Sequence, residues 1–159
     1  MKEKTRFITQ GAVVAVLYIV LTMVSNAFGL ASGVIQVRLS EALTILPMFF
    51  PSAIPGLFIG CLIANFMCGS LLLDVIFGSI ATLLGALGTY YLGKNKWIAP
   101  VFPILANTII IPFVLRYVYG ISGGMLYFAI TVFVGEFISC GILGILLYNA
   151  LKKVKTIDK

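Results

Sequence analysis

The run Gly124-Met-Leu-Tyr-Phe-Ala-Ile-Thr-Val-Phe-Val-Gly-Glu136-Phe-Ile-Ser-Cys-Gly-Ile-Leu-Gly-Ile-Leu-Leu-Tyr-Asn-Ala-Leu151 carries one charged side chain, Glu136, along its whole length. A helix crosses the ~30 Å hydrocarbon core of a bilayer with ~20 apolar residues, and this stretch exceeds that. Working back toward the N-terminus gives five more apolar runs: Phe7 to Ser25, Glu41 to Phe50, Ile54 to Cys68, Leu72 to Leu92 and Ile98 to Leu115. The chain has 159 residues, 61% of them hydrophobic and 10% charged, whereas soluble domains carry ~25% charged residues and need them to face water. The reading is an all-α integral membrane protein: one transmembrane domain over 1–159, a six-helix bundle passing several times through the cell membrane. The second run is too short for an upright crossing and is expected to be short, tilted into a neighbour, or re-entrant.

Charge sets the orientation. With six crossings and a cytoplasmic N-terminus, Lys2, Lys4, Arg6, Lys94, Lys96, Lys152, Lys153, Lys155 and Lys159 fall inside, and Arg38 and Arg116 fall outside. This positive-inside bias places both termini in the cytoplasm. The net charge of +6 is therefore an orientation signal and implies no nucleic acid. The first run also resembles a signal peptide with small residues near Ala27 and Ala31, but it is long for one, and its removal would spoil the charge balance. Cys61, Cys68 and Cys140 lie in apolar runs without a C-x-x-C pair, so neither a disulfide framework nor a metal site is expected. There is no histidine, and the five acidic residues are scattered in sequence, which disfavours catalysis.

Polar side chains inside a bilayer are costly unless they face the bundle interior or a cavity. At ~1.5 Å per residue, Asn65, Asn107 and Glu136 each lie ~14–18 Å from the start of their run, near the midplane. Asp74, Arg38 and Glu41 sit at the outer starts of theirs and would form a second tier above. The set predicts an outward-opening polar cavity, with interhelical hydrogen bonding as the alternative role for the amides and helix capping for Asp74. Arg38, Arg116, Glu41, Asp74 and Glu136 sum to −1 when ionised, which a small cation would neutralise. The segment from Asn26 to Ser40 is the longest outer connection, a length that often accompanies function.

Two motifs need sorting. Gly88 to Asn95 nearly spells a phosphate-binding loop, but Asn95 replaces the hydroxyl that holds magnesium and the run ends a membrane helix, so no nucleotide is expected on this chain. Lys94, Lys96 and Trp97 read instead as an interfacial anchor. Gly11-x-x-x-Ala15 and Gly56-x-x-x-Gly60 permit close helix approach. Packing within the bundle is one reading of both pairs; the first also lies beside the basic N-terminus, where a partner subunit's helices could meet it.

The segments Ile35 to Leu43, Pro51 to Asn65, Asp74 to Ser79 and Gly135-Glu136 resemble the queuosine-precursor transporter family, QueT, and the resemblance extends from Gly11 to Leu151. It implies a substrate-binding S-component of an energy-coupling factor (ECF) importer: six helices and an outer site covered by the first connection. It also implies a transmembrane T-component and two cytosolic ATPases as partners, which use the ATP, with no cofactor on this chain. The implied substrate is a deazapurine, 7-aminomethyl-7-deazaguanine, bound by Glu136 and Asn107 first, with Asn65, Asp74, Glu41 and Arg38 as further candidates. Gly11 and Ala15 match the family's partner-contact motif with one glycine replacement. A self-sufficient carrier in which Glu136 exchanges a proton is the rival reading, and an S-component for another vitamin-like substrate a second.

Overall fold

The computed structural model describes residues 2–30 and 35–157. The middle of the first connection (31–34) and Lys159 therefore lie outside the described residues, as does the small-residue position at Ala31. Helix 1 is Lys2–Ala27, helix 2 is Leu39–Met48, helix 3 is Ala53–Met67 and helix 4 is Leu72–Leu92. Helix 5 spans Val101–Val118 and helix 6 spans 125–157. Helices 1, 4, 5 and 6 are long and apolar enough to cross a membrane; helices 2 and 3 are shorter apolar helices. Helices 1 and 6 outrun their apolar cores because the lysine-rich ends continue the helix past the hydrophobic stretch.

The distribution of side chains is that of a protein in lipid. Ile8, Val13, Val16, Phe66, Leu72, Leu126 and many other large apolar residues are exposed, while Thr22, Ser25, Glu41, Asn65, Asp74, Thr82 and Asn107 are buried. Hydroxyls inside the helices bond back to the preceding turn, as Thr22 Oγ1 does to the Tyr18 carbonyl (2.8 Å) and Ser79 Oγ to that of Val75 (2.6 Å). This satisfies donors that lipid could not.

Helix 2 is short, and its side chains are enclosed by its neighbours. It winds as a 3-10 helix, and Ser40 through Pro47 are all buried. At ~2.0 Å per residue that geometry carries ten residues ~20 Å, where an α-helix would carry them only ~15 Å. The segment thus runs through the bundle interior, with Leu43 and Leu46 joining Val14, Tyr18, Leu57 and Ala64 in the core.

Helices 1 and 3 interlock through the two small-residue pairs. A Cβ on Gly56 would lie 2.5 Å from the Gly11 carbonyl oxygen, and one on Gly60 would lie 3.0 Å from Ala15 Cα. The sequence left packing within the bundle and a partner's surface as the two readings of Gly11 and Ala15; within this chain both meet helix 3, because glycines on the facing helix let the two backbones touch.

One end of the molecule gathers the start of helix 1, the turn before helix 3, the turn before helix 5 and the end of helix 6. Ser52 Oγ donates to Gln10 Oε1 (3.2 Å), the Phe49 and Tyr148 rings lie 5.3 Å apart, and Lys96 Nζ donates to Asn149 Oδ1 (3.0 Å). The polar cavity opens at the other end.

Candidate functional site

The first connection re-enters the bundle at Val37 and delivers Arg38 and Glu41 to its interior. Three residues on one face of helix 1 hold it there. Ser25 Oγ accepts from the Leu39 amide (2.9 Å), the Thr22 and Ser40 hydroxyls share a hydrogen bond (2.8 Å), and the Tyr18 hydroxyl donates to Glu41 Oε1. On the far side Ser139 Oγ accepts from the Arg38 amide (3.1 Å), and Gly135 lies so close that a Cβ there would fall 2.1 Å from the Gln36 carbonyl oxygen. Helix 6 widens to a π-helix over Phe137–Leu143, directly after Glu136. Such bulges re-aim side chains and recur at functional sites.

These contacts frame a cavity of about 410 Å³, within the range typical of small-molecule sites. Gln36, Arg38, Glu41, Thr82, Asn107 and Glu136 supply its polar wall, and Tyr127 and Phe128 its aromatic one. A carboxylate oxygen of Glu41, one of Glu136 and the Cys140 sulfur all lie within 4.8 Å of one another. The Cys140 thiol donates to Glu136 Oε2 (3.1 Å). Among the described residues, Glu41 Oε2 and Asn107 Nδ2 are buried without a hydrogen-bond partner. An unmade hydrogen bond on a buried polar atom costs ~1–3 kcal/mol, so an acceptor and a donor are left available for whatever enters. Arg38, Glu41 and Glu136 together carry −1 when ionised.

A second cavity of about 260 Å³ adjoins the first, sharing Gln36, Arg38, Ile111, Leu115 and Ile121 in its walls and adding Asn26, Asn65 and Asp74. Its roof is the connection from helix 5 to helix 6, tied down by the Tyr119 hydroxyl donating to Asp74 Oδ2 (2.7 Å) and by Arg116 Nη1 donating to the Gly123 carbonyl (2.7 Å). Burial and the neighbouring Asp74 carboxylate raise the Tyr119 hydroxyl above its ordinary pKa, which keeps it a donor at neutral pH.

The family model described as QueT transporter matches residues 8–153. The chain belongs to the QueT transporter family. It is also 40% identical over 83 residues to a protein of Lactococcus lactis subsp. cremoris (strain MG1363) named queuosine precursor transporter QueT. That match covers 52% of this chain and 48% of the relative, so the aligned part spans about half the length of the relative. No solved structure matches.

In this QueT family member the fold gathers the six polar residues that the sequence singles out, in an arrangement different from two stacked tiers. Glu41 shares the level of Glu136, because the 3-10 helix starts inside the bundle rather than above it. The two carboxylates, distant in sequence, are neighbours in space. Asn107 and Glu136 line the same cavity. Asn65 is engaged by the protein: its Oδ1 accepts from Arg38 Nη1 (3.1 Å) and its Nδ2 points at Cys61 Sγ (3.5 Å), so it holds the arginine in the wall between the two cavities. Asp74 lines only the adjoining cavity of the two and bonds Tyr119 instead of capping its helix.

Sequence reasoning passed over Tyr18, Thr22, Ser25 and Ser139, and assigned Cys140 no role. The 18, 22, 25 spacing along one face of helix 1 was the available signal for the first three. It named no metal ligands, yet Glu41, Glu136 and Cys140 are close enough to hold an ion.

Proposed function

We propose that this transporter is the substrate-binding subunit of an ECF-type importer and captures a 7-deazaguanine queuosine precursor, 7-aminomethyl-7-deazaguanine, in the larger cavity. The observation that carries this reading is the pairing of the Glu41 and Glu136 carboxylates beside two unpartnered buried atoms, Glu41 Oε2 and Asn107 Nδ2. A 7-deazaguanine presents an N1–H and an exocyclic NH2 side by side, which one carboxylate accepts together, and a carbonyl acceptor next to them. Glu136 takes the paired donors and Asn107 Nδ2 donates to the carbonyl. The aminomethyl group is an ammonium at neutral pH and needs a counter-charge in a water-poor site. Glu41 Oε2 supplies it, since Asp74 is already bonded to Tyr119. Phe128 and Tyr127 offer ring faces to the base.

In this reading the protein crosses the membrane six times with both termini cytoplasmic. A transmembrane T-component and two cytosolic ATPases complete the importer, and ATP acts on them. Nothing in the proposed role asks this chain to catalyse a reaction, in keeping with a transporter family. The cycle requires that partner binding favour a state in which the outer cavity is lost. Arg38 is a natural lever, since its amide bonds helix 6 while its guanidinium bonds helix 3.

Titration calorimetry on the purified chain, without partners or ATP, tests the reading. The expected result is saturable 1:1 binding of 7-aminomethyl-7-deazaguanine, with guanine weaker because it lacks the ammonium. Absence of binding overturns the substrate. Proton-coupled uptake by the chain alone in liposomes overturns the subunit role and favours a self-sufficient carrier.

A further inference from the structure

An apolar groove of about 580 Å³ lies on the outer face between helices 5 and 6, away from the polar cavity and independent of the ligand reading. Val101, Ile104 and Leu105 form one wall, Phe133, Phe137 and Leu146 the other, and Gly141 contributes no side chain to it. Val101, Leu105, Phe133, Phe137 and Leu146 are all exposed. The widened turns of helix 6 over Phe137–Leu143 run along its length. From Phe133 to Leu146 the groove follows helix 6 for about 20 Å at ~1.5 Å per residue, which reaches through one leaflet's ~15 Å share of the hydrocarbon core.

Its end is chemically distinct. Trp97, the chain's sole tryptophan, lines the groove there, and the Lys96 ammonium sits 5.2 Å from the centre of its ring. One hydrogen-bond donor of Lys96 Nζ goes to Asn149 Oδ1, and an ammonium has three. Lys94, Lys152 and Lys153 lie at the same end of the molecule. An apolar channel one leaflet deep that begins at an aromatic ring and a cation matches the two parts of an acidic lipid, a hydrocarbon tail below a phosphate.

We propose that this groove holds one acyl chain of an anionic phospholipid whose phosphate sits against the Lys96 ammonium. Trp97 provides the probe. The protein is placed in phosphatidylcholine vesicles in which a tenth of the lipid carries brominated acyl chains, on either phosphatidylglycerol or phosphatidylcholine, and tryptophan quenching is compared. The expected result is about fivefold stronger apparent association of the brominated phosphatidylglycerol, the factor one lysine contributes at an anionic surface. Lys96→Gln abolishes the preference while leaving the thermal transition in place. Gly141→Leu, which places a side chain in the groove, reduces quenching by both lipids. Equal quenching by the two lipids in the wild-type protein overturns the proposal, as does a preference that survives Lys96→Gln. Loss of the preference on adding inorganic phosphate at constant ionic strength also overturns it, by assigning the site to free anions. Quenching by neither lipid overturns it as well, because the groove is then closed to lipid.

Discussion

Gly135 is where the first connection and helix 6 press hardest, and Gly135→Ala converts that contact into a measurable displacement. A Cβ at this position would lie 2.1 Å from the Gln36 carbonyl oxygen, while real Cβ atoms essentially never come within 3.0 Å of a neighbour. The backbones must therefore separate by at least about 0.9 Å, the difference between those distances. The Arg38 amide to Ser139 Oγ bond, now 3.1 Å, lies one helical turn along the same contact and lengthens toward 4 Å, beyond hydrogen-bond range. Losing that bond costs ~1 kcal/mol, and overpacking a tight interior costs ~1–3 kcal/mol. Because Gln36 and Arg38 both line the cavity, the strain reaches the ligand directly. The expected outcome is a roughly five- to thirtyfold weaker affinity by calorimetry, the equivalent of ~1–2 kcal/mol, with a lowered thermal transition. Gly144→Ala on the same helix is the control. Its Cβ would meet the Ala42 carbonyl oxygen at an ordinary 3.6 Å, and alanine otherwise favours a helix by up to ~1 kcal/mol. Unchanged affinity in Gly135→Ala, or equal losses in the two variants, would refute the claim that the connection is seated on helix 6 to shape the site.

Glu136→Gln replaces a charge-assisted contact by a neutral one and should weaken binding at least tenfold, on the order of 1.4 kcal/mol; unaltered calorimetric affinity removes Glu136 from the site. Tyr18→Phe deprives Glu41 Oε1 of its donor, and a bond to a charged group contributes ~1.5–3 kcal/mol. It should weaken the ammonium-bearing ligand about tenfold and guanine far less; equal losses for both would mean a general packing defect rather than a misplaced carboxylate. Ala15→Trp drives an indole into the contact with Gly60 and should lower the thermal transition and the yield of monodisperse protein. A variant that stays folded, binds ligand and fails only in uptake would assign Ala15 to a partner surface.

Much of the architecture was legible because lipid imposes a simple rule. The four longest apolar runs coincide with the helices long enough to cross a membrane, down to identical limits for Leu72–Leu92, since a span must be long and apolar whatever it packs against. The intramembrane polar residues were equally visible, and they line the cavities because lipid excludes them elsewhere. What sequence spacing could not supply was mutual distance. Counting residues from the helix ends set Glu41 above Glu136, because it assumed an α-helix starting at the membrane surface rather than a 3-10 helix entering the interior. The Gly11 and Ala15 pattern was read correctly as a place of close approach, but which helix approaches is decided by Gly56 and Gly60, fixed only when the bundle closes. Tyr18 escaped notice because a tyrosine in an apolar helix looks like core until its hydroxyl is seen to meet a carboxylate.

The central claim is that one cavity reads the base through Glu136 and Asn107 and its ammonium through Glu41. Structure determination of the purified protein with bound 7-aminomethyl-7-deazaguanine tests this most directly. The account predicts the ring seated between helices 2, 5 and 6, with N1 and the exocyclic amine within hydrogen-bond distance of the Glu136 carboxylate and the aminomethyl nitrogen against Glu41. A ligand found elsewhere, or one in this cavity with both carboxylates turned away from it, would contradict it.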